Sequence, residues 1–235
     1  MIKSLFQSRM KLSLVCLFAV FLFWGSQLFA ETMNDQEAFT FNIVLAKKNC
    51  QIAIWLVNAK GEFIDTVYVT RKTAKKGLGN KGGELDDKLG GSRLSVLPAW
   101  AYQRGFNYGG GNFYPSKDKA LVDAITSATP KAGEFVWVWR STKPLKPGKY
   151  FYNIEVNKSF DDNEHHNYSW YRGQPSVIWQ GSLIIGKKIS ESNAKIIGHG
   201  DVAGADGKIS SDLSSLTTAL HLIKKVEATY KPGNN

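Results

Sequence analysis

The chain has 235 residues, a formal net charge of +10, 12% aromatic residues and two cysteines. Its length is enough to bury a full core, and its basic balance favours anionic partners (phosphates, lipid headgroups or acidic proteins) without choosing among them. After the first thirty residues no segment is apolar for long enough to form a spanning helix, and the single remaining cysteine, Cys50, excludes an intramolecular disulfide there.

The chain opens with Lys3, Arg9 and Lys11 and no acidic residue, then an apolar run over 12–24, then Gly25-Ser-Gln-Leu-Phe-Ala30. That order predicts a secretory signal peptide over residues 1 to about 30, cleaved after Ala30. The run is short of the roughly 20 residues a spanning helix needs. Residues 31–235 then form one exported domain with a charge of about +7.

Residues 39–45 alternate like a half-buried strand. Two further strands over 50–57 and 62–69 are joined by Asn58-Ala-Lys-Gly61, which predicts a hairpin with Gly61 at a positive φ. Cys50 opens the first of these and reads as a small buried hydrophobe. Residues 71–93 carry Lys72, Lys75, Lys76, Lys81 and Lys88 among glycines and read as a flexible basic loop. Within it, Gly77-Leu-Gly-Asn-Lys-Gly82 spells the dinucleotide-binding pattern, but the strand before and helix after it are missing.

A short helix is expected over 117–125. A second hairpin is expected from 134–139 and 149–156 across a Pro/Gly connection, with Tyr150, Tyr152, Ile154 and Val156 on one face and Phe151, Asn153 and Glu155 on the other. Strands follow over 176–185 and 194–197. Asp212 is placed to cap a helix in which Leu213, Leu216, Leu220 and Ile223 recur at helical spacing, and the tail alternates again from Lys225. Short strands with Gly and Pro punctuation predict a mostly β chain, a β-sandwich with long loops and one or two short helices.

Chemistry-bearing residues are sparse. His165 and His166 follow Asp161-Asp-Asn-Glu164, yet adjacent histidines on an extended chain point to opposite sides, so this reads as a polar loop rather than a metal site. No serine or cysteine stands in a nucleophile setting, which predicts no catalytic residue, no metal and no enzyme. The aromatics Trp100, Tyr102, Phe106, Tyr108, Phe113 and Tyr114 crowd one glycine-containing stretch, and Trp170 and Tyr171 another. They suit either a lid packed on the sandwich or a surface that stacks on a planar ligand.

The order Trp55-Leu-Val-Asn-Ala-Lys-Gly-Glu-Phe63, Leu97-Pro-Ala-Trp100, Asp123-Ala-Ile-Thr-Ser-Ala-Thr-Pro-Lys-Ala-Gly133, Tyr171-Arg-Gly-Gln-Pro-Ser176 and Ile197-Gly-His-Gly200 resembles domain-of-unknown-function family 2271. The resemblance implies a periplasmic protein whose genes neighbour flavin transferases and PepSY-type membrane proteins. The 134–156 region, with Trp139, Pro147, Gly148 and Tyr150, resembles the immunoglobulin-like module of flagellar hook-capping proteins and implies an immunoglobulin-like sandwich.

Asp123-Ala-Ile-Thr-Ser-Ala-Thr129 matches the D-x-x-[ST]-[GS]-A-T pattern that periplasmic flavin transferases modify. That likeness implies FMN joined by a phosphodiester to Thr129, with Asp123, Thr126, Ser127 and Ala128 as recognition residues. The implied partners are a flavin transferase and a membrane-bound redox protein, and the implied role is an electron carrier or accessory of an extracytoplasmic redox system. The alternative is a cofactor-free binding or scaffold module that presents its aromatic loops to a protein or membrane partner.

Overall fold

A computed structural model describes residues 36–76, 94–115, 119–121, 126–127, 129–167 and 173–233. Ten strands, β1 Ala38–Leu45, β2 Gln51–Asn58, β3 Phe63–Thr70, β4 Thr126–Ser127, β5 Gly133–Trp139, β6 Gly148–Asn157, β7 Val177–Ile185, β8 Ser190–Asn193, β9 Lys195–His199 and β10 Ile223–Lys231, form two sheets. One has the order β5-β1-β10-β8, the other β4-β3-β2-β6-β7-β9. Every pairing is antiparallel except β3 with β4. The mostly β sandwich expected from the strand pattern is the architecture found.

The core lies between the sheets. Phe39, Phe41, Ile43 and Leu45 of β1 and Val226, Ala228 and Tyr230 of β10 face Ile52, Ile54 and Leu56 of β2 and Tyr150, Tyr152, Ile154 and Val156 of β6. Alternation in β1 and β6 therefore reports the core face correctly. Phe41 joins the two layers, meeting the Tyr152 ring edge-on at 5.5 Å, while within the four-stranded sheet Phe39 packs between Trp139 and Tyr230 at 5.3 and 5.0 Å. Each buried side chain of this size contributes about 1.5–3 kcal/mol.

Strand β2 is buried along nearly its whole length, in keeping with its almost unbroken apolar sequence. Both faces of the six-stranded sheet are covered there. Its outer face carries a second apolar cluster, Ala53, Trp55 and Val57 of β2, Val69 of β3 and Ile178 of β7, capped by Val96, Leu97, Ala99, Trp100, Ala101 and Tyr114. The cover is a short helix, α2 (Pro98–Gln103), and the chain on either side of it; α1 (Arg71–Lys76) packs beside it through Ala74.

The hairpin of β2 and β3 is as expected, with Gly61 at φ +81°. The second expected hairpin is corrected. Its strands exist, but β5 pairs with β1 in one sheet and β6 with β2 and β7 in the other. Residues 140–147 cross between layers, so β5 and β6 lie in different sheets, and Phe135 and Trp137 of β5 meet Tyr68 of β3 across the core, each with ring centroids 5.0 Å away. Alternation reports a strand's buried face, not its neighbour.

The helix expected from Asp212 is also corrected. Asp212 Oδ1 accepts from Ser214 N (3.0 Å), only the 3₁₀ turn Thr218–His221 forms, and Ile223 opens β10. Leu216 and Ile223 do enter the core. The intervening Ser and Thr residues, however, offer the backbone local hydrogen bonds that compete with a helix. The basic excursion begins as α1, and residues 77–93, including the Gly77–Gly82 pattern, lie outside the described residues. Lys119–Leu121 are not helical, and the rest of the expected 117–125 helix is also outside them.

Candidate functional site

The outer face of the six-stranded sheet gathers the residues with the most unusual surroundings. Pro98 at the first position of α2 fixes φ and lacks an N–H, leaving the next two amides without helical acceptors. Glu155 of β6 supplies them: Ala99 N donates to Oε1 (3.2 Å) and Trp100 N to Oε2 (2.8 Å), while Ser176 Oγ donates to Oε1 at 2.6 Å. The carboxyl is fully buried. Burial pushes its pKa up to about 7, against the lowering effect of the Ser176, Trp100 and Ala99 hydrogen bonds. Gly200 closes over it, and a Cβ there would stand 2.5 Å from Ser176 Oγ and 3.0 Å from Glu155 Oε1.

Two indoles fasten the helix further. Trp100 Nε1 donates to Thr66 Oγ1 (3.0 Å), and Trp55 Nε1 donates to Gln103 Oε1 (2.8 Å). Tyr114 donates to Leu94 O (2.7 Å) and accepts from Leu97 N (2.9 Å), closing the segment around the cluster.

From this base the chain turns outward. Gly109, Gly110 and Gly111 have φ of +116°, +60° and +78°, values that L side chains rarely adopt, and they return the chain so that Phe113 lies against Tyr102 with ring centroids 4.4 Å apart. Arg104 stands at the centre. Its guanidinium lies 4.8 Å from the Trp100 ring, 5.2 Å from Tyr108 and 5.8 Å from Phe106, and it donates to Tyr108 Oη (3.0 Å) and Phe113 O (3.2 Å). Phe106 rests edge-on against Tyr108 at 4.6 Å and remains 57% exposed.

All six aromatics singled out between residues 100 and 114 are thus brought together. Trp100 and Tyr114 are buried, Tyr102, Tyr108 and Phe113 half-buried, and Phe106 exposed. The inner rings form the lid and the outer ones a surface. Trp170 and Tyr171 lie outside the described residues. Sequence reasoning missed Glu155, which the alternation of β6 assigns to an outer polar face, and missed Arg104. The signal for Glu155 is the unbroken apolar run of β2, which shows that the outer face is covered. The signal for Arg104 is its position inside the aromatic cluster.

Of the residues implied for flavin attachment, Thr126 and Ser127 form β4, paired parallel with Val69 and Thr70. Thr129 is half-buried just beyond it, and Asp123 and Ala128 lie outside the described residues. Helix α1 packs beside β4, with Arg71 and Lys72 exposed, and Leu121 N donates to Ala74 O at 2.9 Å.

The histidines are dispersed. His165 is exposed beside Glu164 (3.3 Å), His199 Nδ1 lies 2.7 Å from Gly200 O, and buried His166 has Nε2 2.9 Å from Ser215 Oγ. Burial first, then the charges of His199 and His165, lower the His166 pKa. Among the described residues no three His, Cys, Asp or Glu side chains gather to hold a metal ion. Cys50 is buried, and desolvation pushes its thiol up to about 12. Compared with protein-family models, with curated proteins and with solved structures, the chain matches none.

Proposed function

We propose that the chain is an exported, non-enzymatic binding module that offers the arginine–aromatic surface after α2 to a partner protein. The observation that carries this reading is Arg104, held among Trp100, Phe106 and Tyr108 with Phe106 left 57% exposed, on a helix anchored by a buried carboxylate. Trp, Tyr and Arg presented rigidly lose little side-chain entropy on binding and dominate interface hot spots. The leader-like residues 1–30 and the resemblance to domain-of-unknown-function family 2271 support an extracytoplasmic, periplasmic address. A photoreactive side chain at Tyr108, introduced in cells that export the protein, tests it. The expected result is a discrete adduct that Phe106→Ser abolishes; adducts of equal yield from a photoreactive group at Val138, on the far sheet, would overturn it.

A second reading is favoured by one observation, the basic helix α1 beside β4. Exposed Arg71 and Lys72 of that helix would supply positive charge for the phosphate of an FMN carried on Thr129, with Asp123, Thr126, Ser127 and Ala128 as the sequence the transferase reads. In that reading a flavin transferase attaches the FMN, and the module then exchanges electrons with a membrane-bound redox protein. Flavin fluorescence that stays with the denatured band and disappears in Thr129→Ala supports it; a dark band, with a control substrate labelled, removes it.

A further inference from the structure

The sandwich has two unlike ends. At one, the 140–147 crossover, the β7–β8 turn and the start of β1 come together: Ala38 is opposite Lys231, and Gly148 is opposite Ile185. Lys143, Lys146, Lys149, Lys187, Lys188 and Lys231 are all exposed there, and none is ion-paired among the described residues. The carboxylates at this end are Glu191, Glu37, which accepts from Tyr230 Oη at 3.3 Å, and Glu62 in the β2–β3 turn, which accepts from Asn58 Nδ2 at 2.6 Å. The loops of the other end mix both signs: Asp161, Asp162, Glu164, Asp201, Asp206 and Asp212 lie there with Lys47, Lys48, Lys158 and Lys208 and, where α1 follows β3, with Arg71, Lys72 and Lys75.

The basic end also carries apolar side chains in solvent. Ile184 is 54% and Ile189 62% exposed, on either side of Lys187 and Lys188. The turn that bears them is held in shape, because Ile184 N donates to Ser190 Oγ (2.9 Å) and Tyr230 Oη to Gly186 O (3.2 Å). Beside Ile184 across the strand pair, Lys149 lies with Nζ 4.8 Å from the Phe151 ring. Between the turn and the crossover lies an open cleft of about 960 Å³, lined in part by Lys143, Lys187, Pro147 and Tyr230.

We propose that this end docks on an anionic phospholipid surface, with Ile184 and Ile189 entering the headgroup region and Lys149, Lys187 and Lys188 lying among lipid phosphates. Charge alone suits any polyanion; isoleucines interleaved with the lysines suit one that also has an apolar interior. This goes beyond the proposed aromatic interface, which lies on a sheet face and stays open when the end is docked.

Co-sedimentation of protein purified from exporting cells with vesicles of phosphatidylglycerol and phosphatidylcholine in equal parts, against phosphatidylcholine alone, is the test. Each lysine near such a surface is worth about fivefold in affinity. Lys187→Glu with Lys188→Glu is therefore expected to weaken binding at least about 25-fold, and Lys47→Glu with Lys48→Glu, the same charge change at the other end, to leave it within about threefold. Ile184→Ser with Ile189→Ser is expected to weaken binding by about tenfold or more. Equal binding to neutral vesicles, an equal loss in the two charge variants, or full binding by the isoleucine variant would each overturn the proposal. The last result would point to a soluble polyanion. Loss of the Tyr108 adduct does not bear on it.

Discussion

Glu155 makes the stability of this protein depend on pH in a direction opposite to that of most carboxylates. A carboxyl that titrates near 7 when folded, against an ordinary value of 4.5, burdens the folded state once it ionises. Below pH 4.5 both states hold the proton and the contribution vanishes. Between 4.5 and 7 the unfolded chain releases the proton first, so stability falls as pH rises, by about 3 kcal/mol in all. For a domain of this size that is about 6–12 °C in melting temperature. Glu155→Gln removes the titration but turns an amide N–H toward the Trp100 or Ala99 N–H, a conflict that costs about 1–3 kcal/mol at every pH. The wild type is therefore the more stable at pH 4.5, and its advantage shrinks by about 3 kcal/mol by pH 8. Thermal or urea unfolding of both proteins across this range measures the difference. Subtracting the variant also cancels His166, whose lowered pKa acts the other way, its stability being lost as pH falls below the ordinary histidine value. An advantage that grows between pH 4.5 and 7 would refute the reasoning: the three donors would then outweigh burial and hold the carboxylate ionised.

Two other perturbations read the packing directly. Gly181 lies beneath the ring of Tyr152, and a Cβ there would stand 2.2 Å from its hydroxyl, so Gly181→Ala is expected to cost about 3 kcal/mol in chemical unfolding, with Tyr152→Leu restoring part of it in the double variant. A loss below about 0.5 kcal/mol would mean that the ring shifts freely. The buried Cys50 thiol, pushed up to about 12, should resist a thiol reagent at pH 8 in the folded protein and react at once in denaturant. Rapid labelling of the folded chain would show that β2 opens at its start.

Local pattern carried far in this chain. The alternation of residues 39–45 and 149–156 identified both the strands and the faces that meet in the core, and Gly61 marked its turn because a positive φ leaves few other residue types. Where it stopped is equally specific. The spacing of Leu213, Leu216, Leu220 and Ile223 records that these side chains pack on the core, Leu216 and Ile223 buried and Leu213 and Leu220 half-buried, and a loop with one 3₁₀ turn leading into β10 achieves that as well as a helix does. Strands β4 and β8, with two and four residues, have no apolar period to read and exist because a neighbouring edge offers hydrogen bonds.

The candidate sites divide the same way. The aromatics between 100 and 114 and the lysines were visible as composition, since residue types can be counted without knowing who touches whom. Arg104 reaches the centre of the rings because the Gly109–Gly111 turn brings the chain back on itself, whereas Glu155 under the start of α2 and the convergence of Lys149 with Lys187, Lys188, Ile184 and Ile189 at one end join residues tens of positions apart. Sequence by itself determined that the chain makes strands with defined inner faces, because side-chain alternation is a property of the local backbone. Only the tertiary structure decided that β5 and β6 belong to different sheets and that Glu155 is buried, because sheet partnership and desolvation depend on what arrives from elsewhere in the chain.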